Sequence, residues 1–156
     1  MWVERASALL DAWAARDDWQ KRTTVRQYSL LETEPVQIAR KLQEVFMGKQ
    51  EPVFTQWFAA NLRRPYTVPP AVSAYVPRFP ESGDEKSLGA RQVINGGNLW
   101  LIVPRDQGVF LETPRVNEFT LACDAQIYLD LLQVGLRGPD QAKALREWEG
   151  FGKQPT

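Results

Sequence analysis

The sequence predicts a single α+β domain in which helices flank a small, mostly antiparallel sheet and a helix pair closes the C-terminus. Three observations support this prediction. Residues 1–65 are dominated by helical patterns, residues 66–121 are β-rich with frequent turn residues, and residues 122–150 show two more helical patterns. With 156 residues, of which 44% are hydrophobic, the chain is long enough to bury an ordinary core as one domain, 1–156.

The N-terminal region, residues 1–65, is predicted to contain three helices and one strand. A first helix is indicated by the spacing of five apolar residues: Trp2, Ala6, Leu9, Leu10 and Trp13. A second helix starts with Pro35 at its first position and ends at Gly48. Thr55 can cap a third helix that runs to Leu62. Residues 24–30 indicate a strand between the first two helices.

The middle of the chain, residues 66–121, is predicted to form most of the sheet. Strands are expected at 72–76, 91–94, 99–103 and 109–111. Asn95–Asn98 contains two glycines that favour a tight hairpin turn, so the last three strands are expected to form an antiparallel meander, extended by residues 116–121. The polar run 81–86 is interpreted as a surface loop.

The C-terminal run from Asp124 to Trp148 contains two helical patterns joined by a Gly-x-Arg-Gly-Pro connector. Asp124 is placed to cap the first helix, and Gly135 can end it in a left-handed conformation. Gly138 is expected to loosen the connector, while Pro139 suits the first position of the second helix. The pattern therefore predicts two short helices that pack together.

This region also carries a family resemblance. Its segments YLDLL, G.RG, QA and LR follow the segment GGNLWLIVPRDQGVF at residues 96–110. Together these segments resemble the end of the antitoxin, or regulator, of type IV toxin–antitoxin systems, the abortive-infection E antitoxin family. Looser blocks lie at 9–14 (LLDAWA) and 54–62 (FTQWFAANL). The resemblance implies a C-terminal regulator domain that opposes a nucleotidyltransferase-like toxin without necessarily binding it. Members of the family usually carry a winged-helix DNA-reading domain ahead of this region, which we expect to be absent here.

Four residues of the motif are interpreted as structural: Tyr128, Asp130, Arg137 and Gly138. Asp130 interrupts an apolar helix face, and a buried carboxylate needs a partner. Arg137 could pair with Asp130 or bind the carbonyls that end the helix. Partner recognition and catalysis remain alternative roles for Asp130. Tyr128 is expected to pack in the core with its hydroxyl at the edge.

Local basic clusters are the candidates for nucleic-acid contact. The net charge is zero, with 19 basic and 19 acidic residues, so the chain lacks the overall positive field that steers most autonomous nucleic-acid binders. The candidate phosphate contacts are Lys21, Arg22, Arg26, Arg63 and Arg64. The other interpretation of both clusters is an ordinary solvated face.

Catalytic signatures are missing from the sequence. There is no histidine, which excludes Ser-His-Asp and Cys-His arrangements and every histidine-containing zinc site. Neither of the two common glycine-rich phosphate loops is present. Two acidic groups, Asp84-Glu85-Lys86 and Asp17-Asp18, could contact magnesium but are interpreted as surface carboxylates. We therefore expect no enzyme activity, cofactor or metal site, and an unreactive Cys123.

The sequence leaves three functional hypotheses. The first is a non-enzymatic regulatory module with the role that the resemblance implies, making at most a weak DNA contact on its own. The others are a metal-dependent enzyme that acts on nucleic acid or nucleotides through Asp and Glu, and a stand-alone oligomeric domain of unassigned role, whose surplus aromatic residues could bury a homodimer face. A cytoplasmic location is expected, because the N-terminus lacks a signal-peptide pattern and no apolar run is long enough for a membrane span.

Overall fold

The structure is a computed structural model, which describes residues 4–111, 113–135 and 137–155, without the side chains of residues 4 and 5. The α-helices of the described residues are α1 (Glu4–Arg16), α2 (Trp19–Arg22), α3 (Pro35–Val45), α4 (Gln56–Arg63), α5 (Ser82–Leu88), α6 (Asp124–Leu131) and α7 (Gly138–Glu147). The strands are β1 (Thr23–Leu30), β2 (Val53–Thr55), β3 (Val72–Tyr75), β4 (Ala90–Val93), β5 (Leu99–Pro104), β6 (Arg115–Val116) and β7 (Phe119–Thr120).

Five strands form the main sheet, in the order β2-β3-β5-β1-β4. Neighbours are antiparallel except for β3 and β5, which run parallel with Val72 opposite Leu99. The short β6 and β7 form a separate antiparallel pair. Phe54 of the edge strand β2 forms an isolated β-bridge with Leu121, and this contact covers that edge of the sheet. The fold is therefore α+β with a mostly antiparallel sheet, as the sequence predicts.

Helices cover both faces of the sheet. All four residues of β3 are buried, which requires packing on both sides. On one face, Trp57 of α4 packs edge-on against Trp100 of β5, with ring centroids 5.1 Å apart, and α6 contacts Tyr75. Helices α3 and α5 pack against each other, and they contact β3 and β4 respectively. The core lies on both sides of β3 and β5.

Several predicted elements are confirmed. The first helix is present as α1, although Leu10 alone of its described apolar residues is fully buried, Leu9 and Trp13 are half exposed, and Trp2 lies outside the described residues. Helix α3 begins with Pro35 as predicted, and β1 and β3 lie at the predicted positions. The C-terminal helices α6 and α7 pack together.

The predicted hairpin between residues 91–94 and 99–103 is wrong. Its two strands exist as β4 and β5, but β1 lies between them and pairs with both. Gly97 packs so closely on β1 that an added Cβ would lie 2.6 Å from the Tyr28 carbonyl oxygen. Asn98 holds the end of β1 through hydrogen bonds to the Leu30 backbone. Gly97 thus serves a close approach to β1 and not a hairpin turn, whereas Gly96 has open space around it and a positive φ of 73°.

Two further expectations in the middle of the chain are wrong. The polar run 81–86 is largely helical, because α5 starts with a capping box in which the Glu81 and Asp84 side chains bond each other's backbone N–H groups. The run 109–111 is not a strand, since residues Gln107–Phe110 form a single 3₁₀ turn whose N-terminus is capped by Asp106. The expected meander therefore does not form.

The connector between α6 and α7 also differs from its prediction. Gly135 is not left-handed; Arg137 adopts that conformation instead, with φ of 67°. Gly138 does not loosen the connector, because an added Cβ would lie 2.5 Å from the Leu131 carbonyl oxygen. Pro139 lies at the start of α7 as predicted. Gly138 thus allows a close approach between the start of α7 and the end of α6.

Among the described residues, no helix combines the length and the apolar character that crossing a membrane requires.

Candidate functional site around Asp130

Asp130 is the centre of a buried polar cluster. Its side chain has no solvent exposure. Oδ1 accepts hydrogen bonds from Arg22 Nη2 at 2.8 Å and Gln126 Nε2 at 2.9 Å. Oδ2 accepts from Thr55 Oγ1 at 2.6 Å and Tyr75 Oη at 2.7 Å. Four donors therefore occupy both oxygens of one carboxylate, the satisfaction that a buried carboxylate needs.

The cluster joins elements that are far apart in the sequence. Arg22 comes from the end of α2, Thr55 from β2, Tyr75 from β3, and Gln126 from the same helix as Asp130. Thr55 precedes α4 at the position where the sequence predicted a capping residue, but its hydroxyl makes no cap hydrogen bond and donates to Asp130. One side chain of the motif thus fastens α6 to the sheet and to the N-terminal region.

Arg22 is the cationic partner of Asp130. Its guanidinium also donates two hydrogen bonds to Asp17, and a third to the Tyr75 hydroxyl at 3.1 Å. Burial alone would lower the pKa of Arg22, but the hydrogen bond to Asp17 and the charge of Asp130 raise it overall. The Trp19 ring lies 4.8 Å from the guanidinium carbon. Arg22 is therefore a fixed, charged bridge between two carboxylates.

The pKa of Asp130 is raised above its ordinary value. Burial is the main cause, and it outweighs the Arg22 charge and the hydrogen bonds from Thr55 and Tyr75, which lower the pKa. The pKa of Tyr75 is raised well above its ordinary value, mainly by burial and then by the Asp130 charge. Tyr75 therefore keeps its proton at neutral pH and remains a donor to Asp130.

The backbone beside the cluster is strained at Gln56. This buried residue follows β2 and begins α4 with φ of 55°, a backbone conformation that residues other than glycine rarely adopt. Its Nε2 donates to the Asp130 carbonyl oxygen at 3.2 Å. The strand-to-helix turn is thus held in place by the end of α6. Nothing in the sequence marks Gln56 as part of the site, because the contact spans more than 70 positions.

A second ion pair fixes the other end of α6. Arg63 donates to both oxygens of Asp124, each at 2.8 Å, and the two side chains are nearly inaccessible. Arg63 also donates to the Lys153 carbonyl oxygen at 2.6 Å, and Asp124 accepts from the Gly152 N–H at 2.7 Å. The predicted cap at Asp124 is wrong, since Cys123 occupies the N-cap position and the carboxylate instead binds the C-terminal segment.

The five candidate phosphate contacts do not share one environment. Arg22 and Arg63 are committed to the carboxylates described above. Lys21 is 82% exposed and lies 3.7 Å from Asp18, and Arg26 is exposed beside the Phe79 ring. Arg64 is partly buried and donates to the Pro65 carbonyl oxygen. Lys21 and Arg26 are the two whose side chains are exposed.

Two other motif residues lie away from the cluster. Arg137 does not pair with Asp130. Its guanidinium is exposed and lies 5.9 Å from the Tyr66 ring centroid. The nearest cation in the sequence was therefore the wrong partner for Asp130. Tyr128 is partly buried, and its hydroxyl accepts a hydrogen bond from Arg146 at 3.1 Å. This matches the predicted core aromatic with its hydroxyl at the edge.

The remaining candidates for chemistry are engaged in local contacts. Asp84 accepts from the Glu81 N–H and from Arg78, which hold its pKa below the ordinary value. Asp17 pairs with Arg22, while Asp18 caps α2. The Cys123 thiol has a raised pKa, chiefly through desolvation, despite two backbone N–H groups that lower it. Within the described ranges, no group of three or more His, Cys, Asp or Glu side chains has a metal-binding arrangement.

Comparison of the chain with models of known families, with curated proteins and with solved structures finds no match.

Proposed function

We propose that the chain is a non-enzymatic regulatory module, the C-terminal domain of an antitoxin-like or transcriptional-regulator-like protein in a type IV toxin–antitoxin or phage-defence system. It acts in the cytoplasm against a nucleotidyltransferase-like toxin, to which it is linked by function. The proposal joins the resemblance of residues 124–148 to the contacts that these residues make.

The observation that carries the proposal is the enclosure of Asp130. A carboxylate with no exposed surface, and with four donors on its two oxygens, cannot reach a substrate. The acidic residue of the motif is used to position α6, and Gly138 is used to let α7 approach the end of α6. Both uses support a structural motif in a binding domain and disfavour catalysis at this place.

The direct test is neutralisation in cells. The chain is expressed together with a nucleotidyltransferase-like toxin of a type IV system, and growth is followed after induction of the toxin. Restored growth is the expected result. Undiminished toxicity, with the chain folded and present at the same level as the toxin, would contradict the proposal. Co-purification of the two proteins then distinguishes a direct complex from opposition without contact.

The role of DNA is tested separately. Fluorescence anisotropy with duplex DNA from the chain's own promoter is compared with a scrambled duplex across a salt series. We expect weak, salt-sensitive binding that decreases in the double variant Lys21→Glu, Arg26→Glu. The variant Lys49→Glu, Lys143→Glu has the same change in charge at two other exposed lysines and is the matched control. Equal losses in both variants would assign the binding to net charge alone.

A stand-alone oligomeric domain is the second candidate, because Leu9 and Trp13 are each 50% exposed on α1. Helix α1 thus presents apolar surface that a second copy could cover. Sedimentation velocity of the wild type and of Trp13→Lys distinguishes this candidate. A dimer that dissociates in the variant would favour it, together with failure of the neutralisation test. Thermal stabilisation by magnesium would instead favour the metal-dependent enzyme.

A further inference from the structure

Strand β1 is longer than the strand beside it at the edge of the sheet. Its eight residues run from Thr23 to Leu30, but β4 pairs with only the last four, and that pairing ends where Gln27 lies opposite Val93. On its other side, β1 pairs with β5 from Thr23 onward. The edge of the sheet therefore has a step, at which residues 23–26 of β1 have no neighbouring strand on the β4 side within the described part of the chain.

The backbone of Val25 points into this step. Val25 lies opposite Ile102 of β5, and the Ile102 carbonyl oxygen accepts a hydrogen bond from the Val76 N–H on its far side. In an antiparallel pair, residues alternate between those that exchange both hydrogen bonds and those that exchange none. The Arg105 N–H donates to the Arg22 carbonyl oxygen, which places the even-numbered residues of β1 in the bonded set. The N–H and C=O of Val25 are therefore directed away from β5, toward the side on which β4 has ended.

An open cavity of about 660 Å³ lies at the step. Its lining comes from β1 and from the end of β4: Val25, Arg26, Gln27, Gln92, Val93 and Ile94. Ile94 is 96% exposed. Arg26 is the one charged residue among these six, and its guanidinium makes no ion pair with a described residue. The step thus combines unpaired backbone groups, an exposed apolar side chain and a cation without a described counter-ion.

We propose that a short extended segment of a partner protein adds to the sheet at this step, where it bonds the Val25 backbone and places an acidic residue beside Arg26. This inference deepens the proposed function and rests on it for the existence of a protein partner. Unpaired N–H and C=O groups along a strand edge bind another extended chain, because such a chain matches their spacing. The acidic residue of the segment follows from Arg26, the single charge in the lining.

A second copy of β1 does not fit the step. Two copies paired antiparallel about Val25 would place Thr23 of the second copy opposite Gln27, a position that Val93 already occupies. At the other end of the step, α2 ends at Arg22, directly before β1. The open length is therefore four residues, which is too short for the eight-residue strand of a folded copy. The position of the step thus favours a flexible segment over a second copy.

The experiment selects ligands for the full chain from a random heptapeptide library displayed on phage. Selected peptides are synthesised with a fluorescent label, and their affinities are measured by anisotropy. We expect an acidic residue to recur in the selected peptides. N-methylation of one peptide residue at a time should weaken binding about tenfold or more at alternate positions and change little between them, because alternate N–H groups of a strand face its neighbour.

Hydrogen exchange locates the added strand on the chain. In NMR spectra of the isotopically labelled chain, the Val25 amide should exchange about tenfold or more slowly when the peptide is bound, because the peptide then accepts its hydrogen bond. The Arg26 amide belongs to the set that bonds β5 and is the internal control. Its exchange should change little.

Variants at Val25 separate the backbone from the side chain. Val25→Pro removes the N–H at the step but no hydrogen bond to β5, and proline is tolerated where a strand N–H faces an open edge. Peptide affinity should decrease about tenfold or more. Val25→Ile keeps the N–H and should bind as the wild type does. Circular dichroism checks that both variants are folded; if Val25→Pro is not, the N-methylation pattern and the Val25 exchange still decide.

A variant at Arg26 tests the charge. Arg26→Glu should weaken the acidic peptides about tenfold, and changing their acidic residue to Lys should restore binding. Arg40→Glu makes the same change at an exposed arginine of α3 outside the lining of the cavity, and it is the matched control. It should bind the acidic peptides nearly as the wild type does.

Four results would overturn the proposal: selection of no binding peptide, N-methylation effects without alternation, a Val25 amide whose exchange the peptide does not slow, or self-association of the chain that Val25→Pro abolishes. The last result would assign the step to a second copy. Failure of the neutralisation test with peptide binding intact would remove the proposed function and keep the added strand. Neutralisation by a chain that binds no peptide would do the reverse.

Discussion

The two ends of α6 are each held by an arginine–aspartate pair, and the two pairs are built differently. At the start of the helix, Asp124 accepts two hydrogen bonds from one buried guanidinium, that of Arg63. At the end, Asp130 receives one bond from Arg22 and three from uncharged groups, while Arg22 is shared with Asp17. The Arg22 side chain is also 25% exposed, against 6% for Arg63.

The difference shows where each pair is vulnerable. The Asp124 pair depends on the geometry of one planar cation, which lysine cannot reproduce. The Asp130 cluster depends on the acceptor, because three neutral donors and one cation converge on it. We therefore expect the arginine to be the critical member at one end of α6 and the aspartate at the other.

The largest effect is expected for Asp130→Ala, which should lower the free energy of unfolding by about 3–5 kcal/mol. The substitution leaves the buried hydroxyls of Thr55 and Tyr75 without their acceptor and removes one of the two carboxylate partners of Arg22. Urea denaturation measures the change. Asp140→Ala, at an exposed acid on α7, is the control and should change stability by less than about 0.5 kcal/mol. A loss below about 1 kcal/mol for Asp130→Ala would show that the cluster does not hold α6.

The comparison of the two arginines comes next in size. Arg63→Lys should cost about 2–3 kcal/mol, because lysine keeps the charge but cannot bond both Asp124 oxygens and the Lys153 carbonyl. Arg22→Lys should cost about 1 kcal/mol, since Asp130 keeps three other donors and the site is partly open to water. Denaturant midpoints of the two variants, measured side by side, decide the order. Equal costs would mean that the two pairs are energetically alike.

Tyr75→Phe removes one neutral donor to Asp130 and, with it, the hydroxyl that accepts a bond from Arg22. The expected loss is about 1–2 kcal/mol, the contribution of one buried hydrogen bond to a charged group. Thermal unfolding followed by circular dichroism measures it. Tyr66→Phe, at an exposed ring outside the cluster, should change little. A loss as large as that of Asp130→Ala would show that Tyr75 and not the carboxylate organises the cluster.

The smallest effect is a pH dependence carried by Asp130. Folding raises the pKa of the Asp130 carboxyl group. The contribution of this group to the free energy of unfolding is therefore greatest below its ordinary pKa of about 3.9. This contribution is lost as the pH rises through the higher folded-state pKa. The advantage of wild type over Asp130→Asn should therefore decrease as the pH rises above about 4. Urea titrations of both proteins between pH 4 and pH 8 test this. A difference that is constant, or that increases with pH, would contradict the raised pKa.

The sequence predicts the parts of the fold that depend on local pattern. The fixed φ of proline predicts Pro35 at the start of α3 and Pro139 at the start of α7. The spacing of apolar residues predicts the α+β fold class. The polar helix α5 has no such spacing, and its local signals are the capping box, which joins Glu81 to Asp84, and the left-handed Gly89 that ends it.

The partners that cross the fold could not be read from the sequence. Asp130 needed a cation, and the motif offered Arg137 seven positions away, but Arg22 fills the role from more than 100 positions upstream. The glycines at 96 and 97 resemble a hairpin turn, although β1 separates the two strands. Both errors arise because the deciding contact is distant along the chain. The sequence therefore identified Asp130 as a residue of the site but not the side chains that bind it.

The interior position of β1, between β5 and β4, has a consequence during synthesis. Thr23 pairs with Pro104, about 80 residues later in the chain, and both neighbours of β1 are made after residue 89. At roughly 5–20 residues per second, a ribosome needs roughly 4–16 s to supply those neighbours. For that interval the nascent chain exposes a strand with Val25, Tyr28 and Leu30 and no pairing on either edge. The strand that completes the sheet is thus among the first segments made and must wait longest for its neighbours.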